Sequence, residues 1–196
     1  MSVLLIAGSP SERSRTAALL EAVGQRLETR GALVERLRVR DLSPQALLLA
    51  DFGHFSISQA TGQVAQAEVI VVATPVYKAA YSGVLKVFLD VLPQDAFKGK
   101  TVLPLATGGS AHHMLALDYS LRPVLQALGA RHILAGIYAT DAQVTLSPEG
   151  SYQVDAAIGA RLDDAVHGIV TESLRPALAH AGRFAPVQFS QVRCSV

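Results

Sequence analysis

Cysteine is almost absent from this chain of 196 residues, Cys194 being the only one. A lone thiol so near the end cannot staple a fold and is a poor catalytic thiolate, so thiol chemistry and a disulfide-built scaffold are set aside. Charge is scarce as well. Charged residues make up 17% of the chain and the formal net charge is +1, with no basic run, no aromatic-basic interleaving and no acidic tail. These absences argue against nucleic acid as a partner. Long apolar runs are missing too: none approaches the about 20 residues of a membrane span. The short apolar stretch at the N-terminus lacks a charged n-region and a cleavage site, so the expectation is a cytoplasmic protein with no membrane attachment.

Several catalytic signatures are also lacking. A dinucleotide fingerprint needs three glycines as G-x-G-x-x-G, and only Gly8 follows the first apolar run. The one Gly-Lys-Thr, Gly99 to Thr101, leads into a strand and has Gln94 where a triphosphate loop needs its first glycine. No Ser-His-Asp order, nucleophile elbow or paired-carboxylate site is present, which weakens hydrolase readings. His112 and His113 are adjacent and face different directions on a helix, and no Cys, Asp or Glu completes a ligand set, so no metal is expected. The first strand ends in Ala7-Gly8-Ser9, without the acidic cluster with which a receiver domain holds magnesium.

What the chain does have is apolar residues, half of the total. Strand-length runs recur at Val3–Ala7, Val69–Ala73, Val102–Ala106 and Ile133–Tyr138, with a weaker alternating one at Leu33–Val39. Helical patterns at Thr16–Leu27, Val84–Leu92 and Met114–Leu128 separate them, and a last one runs from about Ala156 to His180. Continuous apolar strands, each followed by a helix, imply a parallel sheet covered on both faces. Five of them make a doubly wound α/β sheet of flavodoxin type, order 2-1-3-4-5, whose ligands sit beyond the carboxyl ends of strands 1, 3 and 4. One domain over residues 1–181 with a tail from 182 to 196 is expected.

Polar loops fall at those three strand ends. After strand 1, Ser9, Ser14, Arg15 and Thr16 surround the start of a helix, where unpaired N–H groups and the macrodipole favour an anion. With the nucleotide motifs excluded, a monophosphate is the fitting ligand; alternatively Ser14 is only an N-cap and Arg15 a solvated charge. After strand 3, Pro75 restricts the backbone, and Tyr77 and Tyr81, with Val76 beside them, offer a flat wall for a heteroaromatic ring or, on the plainer view, ordinary packing, while Lys78 could hold a phosphate or be a solvated charge. Ser82 could be a simple N-cap. After strand 4, Thr107, Gly108, Gly109 and Ser110 can bring main-chain donors close to a ligand, although a strand-to-helix turn also uses glycine. In the fourth helix Pro123 has no N–H for the carbonyl of Tyr119, so the ladder must kink or bulge there.

Ala7–Pro10, the twelve residues Val72–Gly83 (Val-Ala-Thr-Pro-Val-Tyr-Lys-Ala-Ala-Tyr-Ser-Gly) and Leu103–Gly109 together resemble the NADPH-dependent FMN reductases. The likeness is strongest to reductases of two-component alkanesulfonate monooxygenase systems, and it extends to about residue 145. The second motif is the specific one. The resemblance implies a flavodoxin-like fold, a homotetramer or dimer, and hydride transfer from NADPH to FMN, with no catalytic side chain assigned because the chemistry lies on the flavin. Reduced FMN would pass to an FMNH2-dependent sulfonate monooxygenase during sulfur starvation; the rival is a quinone or azo reductase that retains FMN. Ser9, Ser14, Arg15 and Thr16 match the family's phosphate loop, Pro75–Lys78 its segment beside the ring, and Thr107–Ser110 its loop at the pyrimidine edge. Tyr119 matches an inserted tyrosine in a π-helix at the tetramer interface, associated with flavin release. Glu12 departs from the phosphate loop and could weaken anion binding.

Overall fold

A computed structural model describes residues 1–147 and 151–173; Cys194, the tail and the end of the last helical pattern lie outside them. Strands β1 (Ser2–Ala7), β2 (Leu33–Arg38), β3 (Val69–Tyr77) and β5 (Thr101–Gly108) run parallel in the order β2-β1-β3-β5, which matches the expected topology up to its last position. The fifth position is split. β6 (His132–Ile133) and β7 (Ile137–Thr140) both pair with β5, separated by Leu134-Ala135-Gly136, where the sequence suggested one continuous strand. Carbonyls near the break find guanidinium donors instead of ladder partners. Arg122 reaches the carbonyls of Ile133 and Leu134 at 3.4 and 3.2 Å, and Arg161 those of Gly136 and Tyr138 at 3.3 and 3.4 Å.

Alternate strand residues face two helical layers. Val3, Leu5, Val71, Leu103 and Leu105 pack with α1 (Arg15–Glu28) and α6 (Ala156–Ser173). Leu4, Ile6, Ile70, Val72 and Val102 pack on the other face, with residues of α2 (Pro44–Leu48), α3 (Phe55–Gln66), α4 (Gly83–Asp90) and α5 (Arg122–Ala127). Helices α2 and α3 are additions to the sequence reading. Only Ile57, Ala60 and Val64 of α3 are buried, among Ser, Gln, Thr and Gly, so its apolar stripe is faint.

Strand β3 runs four residues past the expected end at Ala73. The Ala73 carbonyl faces β1 and accepts from the Gly8 N–H at 2.8 Å. Two residues on, Pro75 faces the same side, where β1 has ended, so its missing N–H breaks no ladder bond. The chain then turns through Lys78 and Ala79 into the short antiparallel β4 (Ala80–Tyr81), with φ of 51° and 63° at the two turn residues. Two positive φ angles are what a tight hairpin of this hand needs, yet neither residue is glycine. Ala79→Gly is therefore expected to raise stability by about 0.5–1 kcal/mol in urea denaturation, and a fall would contradict strain at this turn.

The helix expected over Met114–Leu128 is two pieces, a π-helix at Leu117–Leu121 followed by α5, with a 3-10 turn at Ala111–His113 just ahead of it. The Arg122 N–H reaches back five residues to the Leu117 carbonyl, which closes the bulge one residue before Pro123. Pro123 then lies in the first turn of α5, where no N–H is required. A further antiparallel pair, β8 (Val144–Leu146) with β9 (Tyr152–Val154), lies between the fifth strand position and α6 and is an addition to the sequence reading.

Candidate functional site

The loops after β1, β3 and β5 line one cleft of about 240 Å3 at the carboxyl edge of the sheet. Ser9, Ser14, Arg15, Thr16, Pro75, Val76, Tyr77, Thr107, Gly108 and Gly109 all face it. Lys78 and Ser110 do not line it: Lys78 is exposed at the hairpin tip, and the Ser110 Oγ accepts from the His112 N–H at 3.3 Å. Tyr119 lies apart on the π-helix and is 79% exposed.

Packing fixes the first loop. Ser14 is the N-cap of α1, its hydroxyl accepting from the Ala17 N–H at 3.0 Å. Ser9 is buried and its Oγ accepts from the Ser11 N–H. Thr16 is buried too, and its hydroxyl lies 2.5 Å from that of Thr107, tying the start of α1 to the end of β5. The Arg15 Nε donates to the Val144 carbonyl at 3.0 Å and lies 3.7 Å from the Asp141 carboxylate. Arg15 is thus a braced side chain at the rim and not a free solvated charge.

The second loop hangs on a buried relay. Thr74 accepts from the Ser82 N–H at 2.9 Å and donates to the Pro75 carbonyl, while Ser82 donates to the Gly8 carbonyl at 2.5 Å and caps α4 through the Leu85 N–H. Ser82 is therefore more than an N-cap: it joins the loop after β3 to the loop after β1.

In the third loop the two glycines have different reasons. A Cβ on Gly108 would stand 2.5 Å from the Tyr138 Oη, so glycine is demanded there by protein packing. One on Gly109 would meet nothing closer than the Asp141 Oδ2 at 3.7 Å, which leaves its open side for a ligand. The Tyr138 hydroxyl donates to the Ser110 carbonyl at 2.7 Å, and burial together with the Asp141 carboxylate pushes the phenol up, keeping the donor protonated.

Ser11, Arg13, Asp141 and Tyr152 also face the cleft and were missed as site residues. Arg13 shares the loop with Ser14, and Asp141 ends the fifth strand position, so both carried a positional signal. Tyr152 arrives through the β8–β9 pairing, which no local pattern announces. Among the described residues no group of three or more potential metal ligands occurs, and no helix is long and apolar enough to cross a membrane.

Three strand-end loops, a capped helix start carrying hydroxyls and arginines, and an open glycine edge define a mononucleotide-binding protein of flavodoxin-like fold. Residues 1–145 match the family described as NADPH-dependent FMN reductase. An FMN reductase (NADPH) of Pseudomonas putida is 46% identical over 185 residues, 93% of this chain and 91% of that protein. One from Escherichia coli is 49% identical over 144 residues, 74% of this chain and 75% of that protein. A crystal structure of the NADH:FMN oxidoreductase EMOB in its apo form superposes with a TM-score of 0.79 at 40% identity, covering 87% of this chain and 89% of that one. The chain belongs to the NADPH-dependent FMN reductase family, and its activity is NAD(P)H-dependent reduction of FMN, with NADPH and FMN as substrates.

Proposed function

We propose that the cleft takes the FMN phosphate at Ser9, Ser14, Arg15 and Thr16, the ring against Pro75, Val76 and Tyr77, and the pyrimidine edge at Thr107–Gly109, with Lys78 and Ser110 flanking. The observation that carries this placement is the convergence of all three loops on one cleft. Bound there, the flavin supplies the hydride-accepting ring; the chain orients it and offers main-chain donors where charge gathers.

The flavin is a substrate that leaves once reduced, passing in the cytoplasm to an FMNH2-dependent sulfonate monooxygenase that acquires sulfur. In support, a cleft of about 240 Å3 falls below the about 300–1,000 Å3 that usually engulfs a ligand of this class. The remaining wall would come from another copy in a homo-oligomer, a tetramer on this reading. Tyr119, Met114, Leu115 and Tyr77 are each at least half exposed, and β4 packs against the π-helix that carries Tyr119.

Absorbance of the purified protein tests this reading. A colourless protein whose NADPH oxidation depends on added FMN is expected; a yellow one with ping-pong kinetics toward a quinone or azo acceptor would replace the proposal. Tyr119→Ala should retain FMN through purification and turn over more slowly, and a colourless variant with full turnover would refute the role given to Tyr119.

A further inference from the structure

Behind the phosphate loop lies a second and larger recess of about 440 Å3, between α1 and the end of β2. It adjoins the cleft, because Arg13, Ser14 and Tyr152 line both. Three guanidiniums face it, from Arg13, Arg36 and Arg38. Arg36 is committed, held by Glu21 at 2.7 Å and Glu28 at 2.9 Å. The Arg13 and Arg38 side chains make no hydrogen bond or ion pair among the described residues, although the charge of Arg38 is felt by Glu21. Arg36 is shared between its two carboxylates, and the charged side chains lining the recess are three guanidiniums against the carboxylates of Glu12 and Glu21. The balance is cationic.

The position of Arg38 is specific. It ends β2 directly opposite Ala7, the last residue of β1 before the phosphate loop. In the doubly wound sheets that bind dinucleotides through a three-glycine loop, an arginine near the end of the second strand accommodates a 2′-phosphate; this chain lacks that loop, but Arg38 stands at the same strand end. Guanidinium forks match phosphate geometry in a way a point charge does not. The recess is also too roomy for a phosphate alone and has apolar wall from Ala17, Ala18 and Leu20, which suits a purine nucleoside.

We infer that this recess binds the adenosine 2′-phosphate end of NADPH, with Arg38 as the group that distinguishes NADPH from NADH and Arg13 beside the linking phosphates. The inference rests on the flavin placement above, which puts the hydride-accepting ring in the cleft that adjoins the recess.

Calorimetric titration of the flavin-free protein with adenosine 2′-monophosphate, adenosine and, separately, FMN tests it. The 2′-phosphate should improve affinity over adenosine at least about tenfold, and Arg38→Gln should erase that gain while leaving FMN affinity within about twofold. Steady-state rates should then show KM for NADPH raised about tenfold or more, with KM for NADH unmoved. Unchanged 2′-monophosphate affinity in Arg38→Gln, equal losses with both coenzymes, or competition of the 2′-monophosphate with FMN would overturn the assignment. Arg38→Lys, which keeps the charge and loses the fork, should fall between the two and serves as the check on folding. Failure of the flavin placement has a different signature: FMN affinity indifferent to Arg15→Gln, a residue that faces the cleft and not the recess.

Discussion

Gly108→Ala is expected to cripple flavin use while leaving most of the sheet intact. The added Cβ would stand 2.5 Å from the Tyr138 Oη and 3.4 Å from the Val76 Cβ. Neither can withdraw freely. Tyr138 is nearly buried and its hydroxyl is fastened to the Ser110 carbonyl, so moving the ring drags the same loop that carries Gly109. The Asp141 N–H is bonded to the Gly108 carbonyl at 3.1 Å, which ties the fifth strand position to the disturbance. Overpacking of this kind costs about 1–3 kcal/mol in stability. Because the loop must move to relieve it, KM for FMN should rise about tenfold or more. Tyr138→Phe removes the atom in closest conflict and leaves the ring carbon at 3.4 Å. The double variant should therefore recover much of the lost FMN affinity. If Gly108→Ala and the double variant bind FMN equally poorly, the Tyr138 hydroxyl is not what demands glycine here.

The third loop also shows what sequence could and could not convey. Its two glycines read alike as letters, yet one answers to a tyrosine thirty positions on and the other to open space. Such a contact between distant residues leaves no local trace. The apolar runs of β1, β3 and β5 were legible because each is buried on both faces and spells its burial continuously. β2 was fainter for the opposite reason, being an edge with several exposed positions. Proline announced the bulge near Tyr119 through a missing donor, a strictly local cause, although the bulge closes through the Arg122 N–H, one residue before the proline. The break between β6 and β7 had no such announcement, since it depends on arginines brought in from α5 and α6. In the cleft, Ser9, Ser14, Arg15 and Thr16 were legible as one loop at one helix start. Arg13 stands in that same loop just before the N-cap, where a local pattern does not separate a site residue from a surface charge, and Arg38, across the recess, comes from β2.

Ser82→Ala should produce the largest loss of stability of any single hydroxyl removed from the site. The side chain is 1% exposed and acts in two directions at once, accepting from the Leu85 N–H at 3.1 Å and donating to the Gly8 carbonyl at 2.5 Å. Loss of an N-cap costs about 1 kcal/mol. Leaving the Gly8 carbonyl without its donor in the interior adds about 1–3 kcal/mol. Water cannot easily take the place of the hydroxyl, because Gly8 is packed so closely against Leu85 that an added Cβ would lie 2.8 Å from the Leu85 Cβ. The expected sum is about 2–4 kcal/mol by urea denaturation, with weaker FMN binding as the first and second loops lose their tie. Ser14→Ala is the informative contrast. It removes a cap of the same kind, the bond from the Ala17 N–H at 3.0 Å, but from a half-buried residue with no second bond. Its stability cost should stay near about 1 kcal/mol, and its main effect should fall on FMN affinity. Equal stability losses in the two variants would mean that the Gly8 carbonyl finds another donor, and that the first two loops are held in register by packing of Gly8 against Leu85 alone.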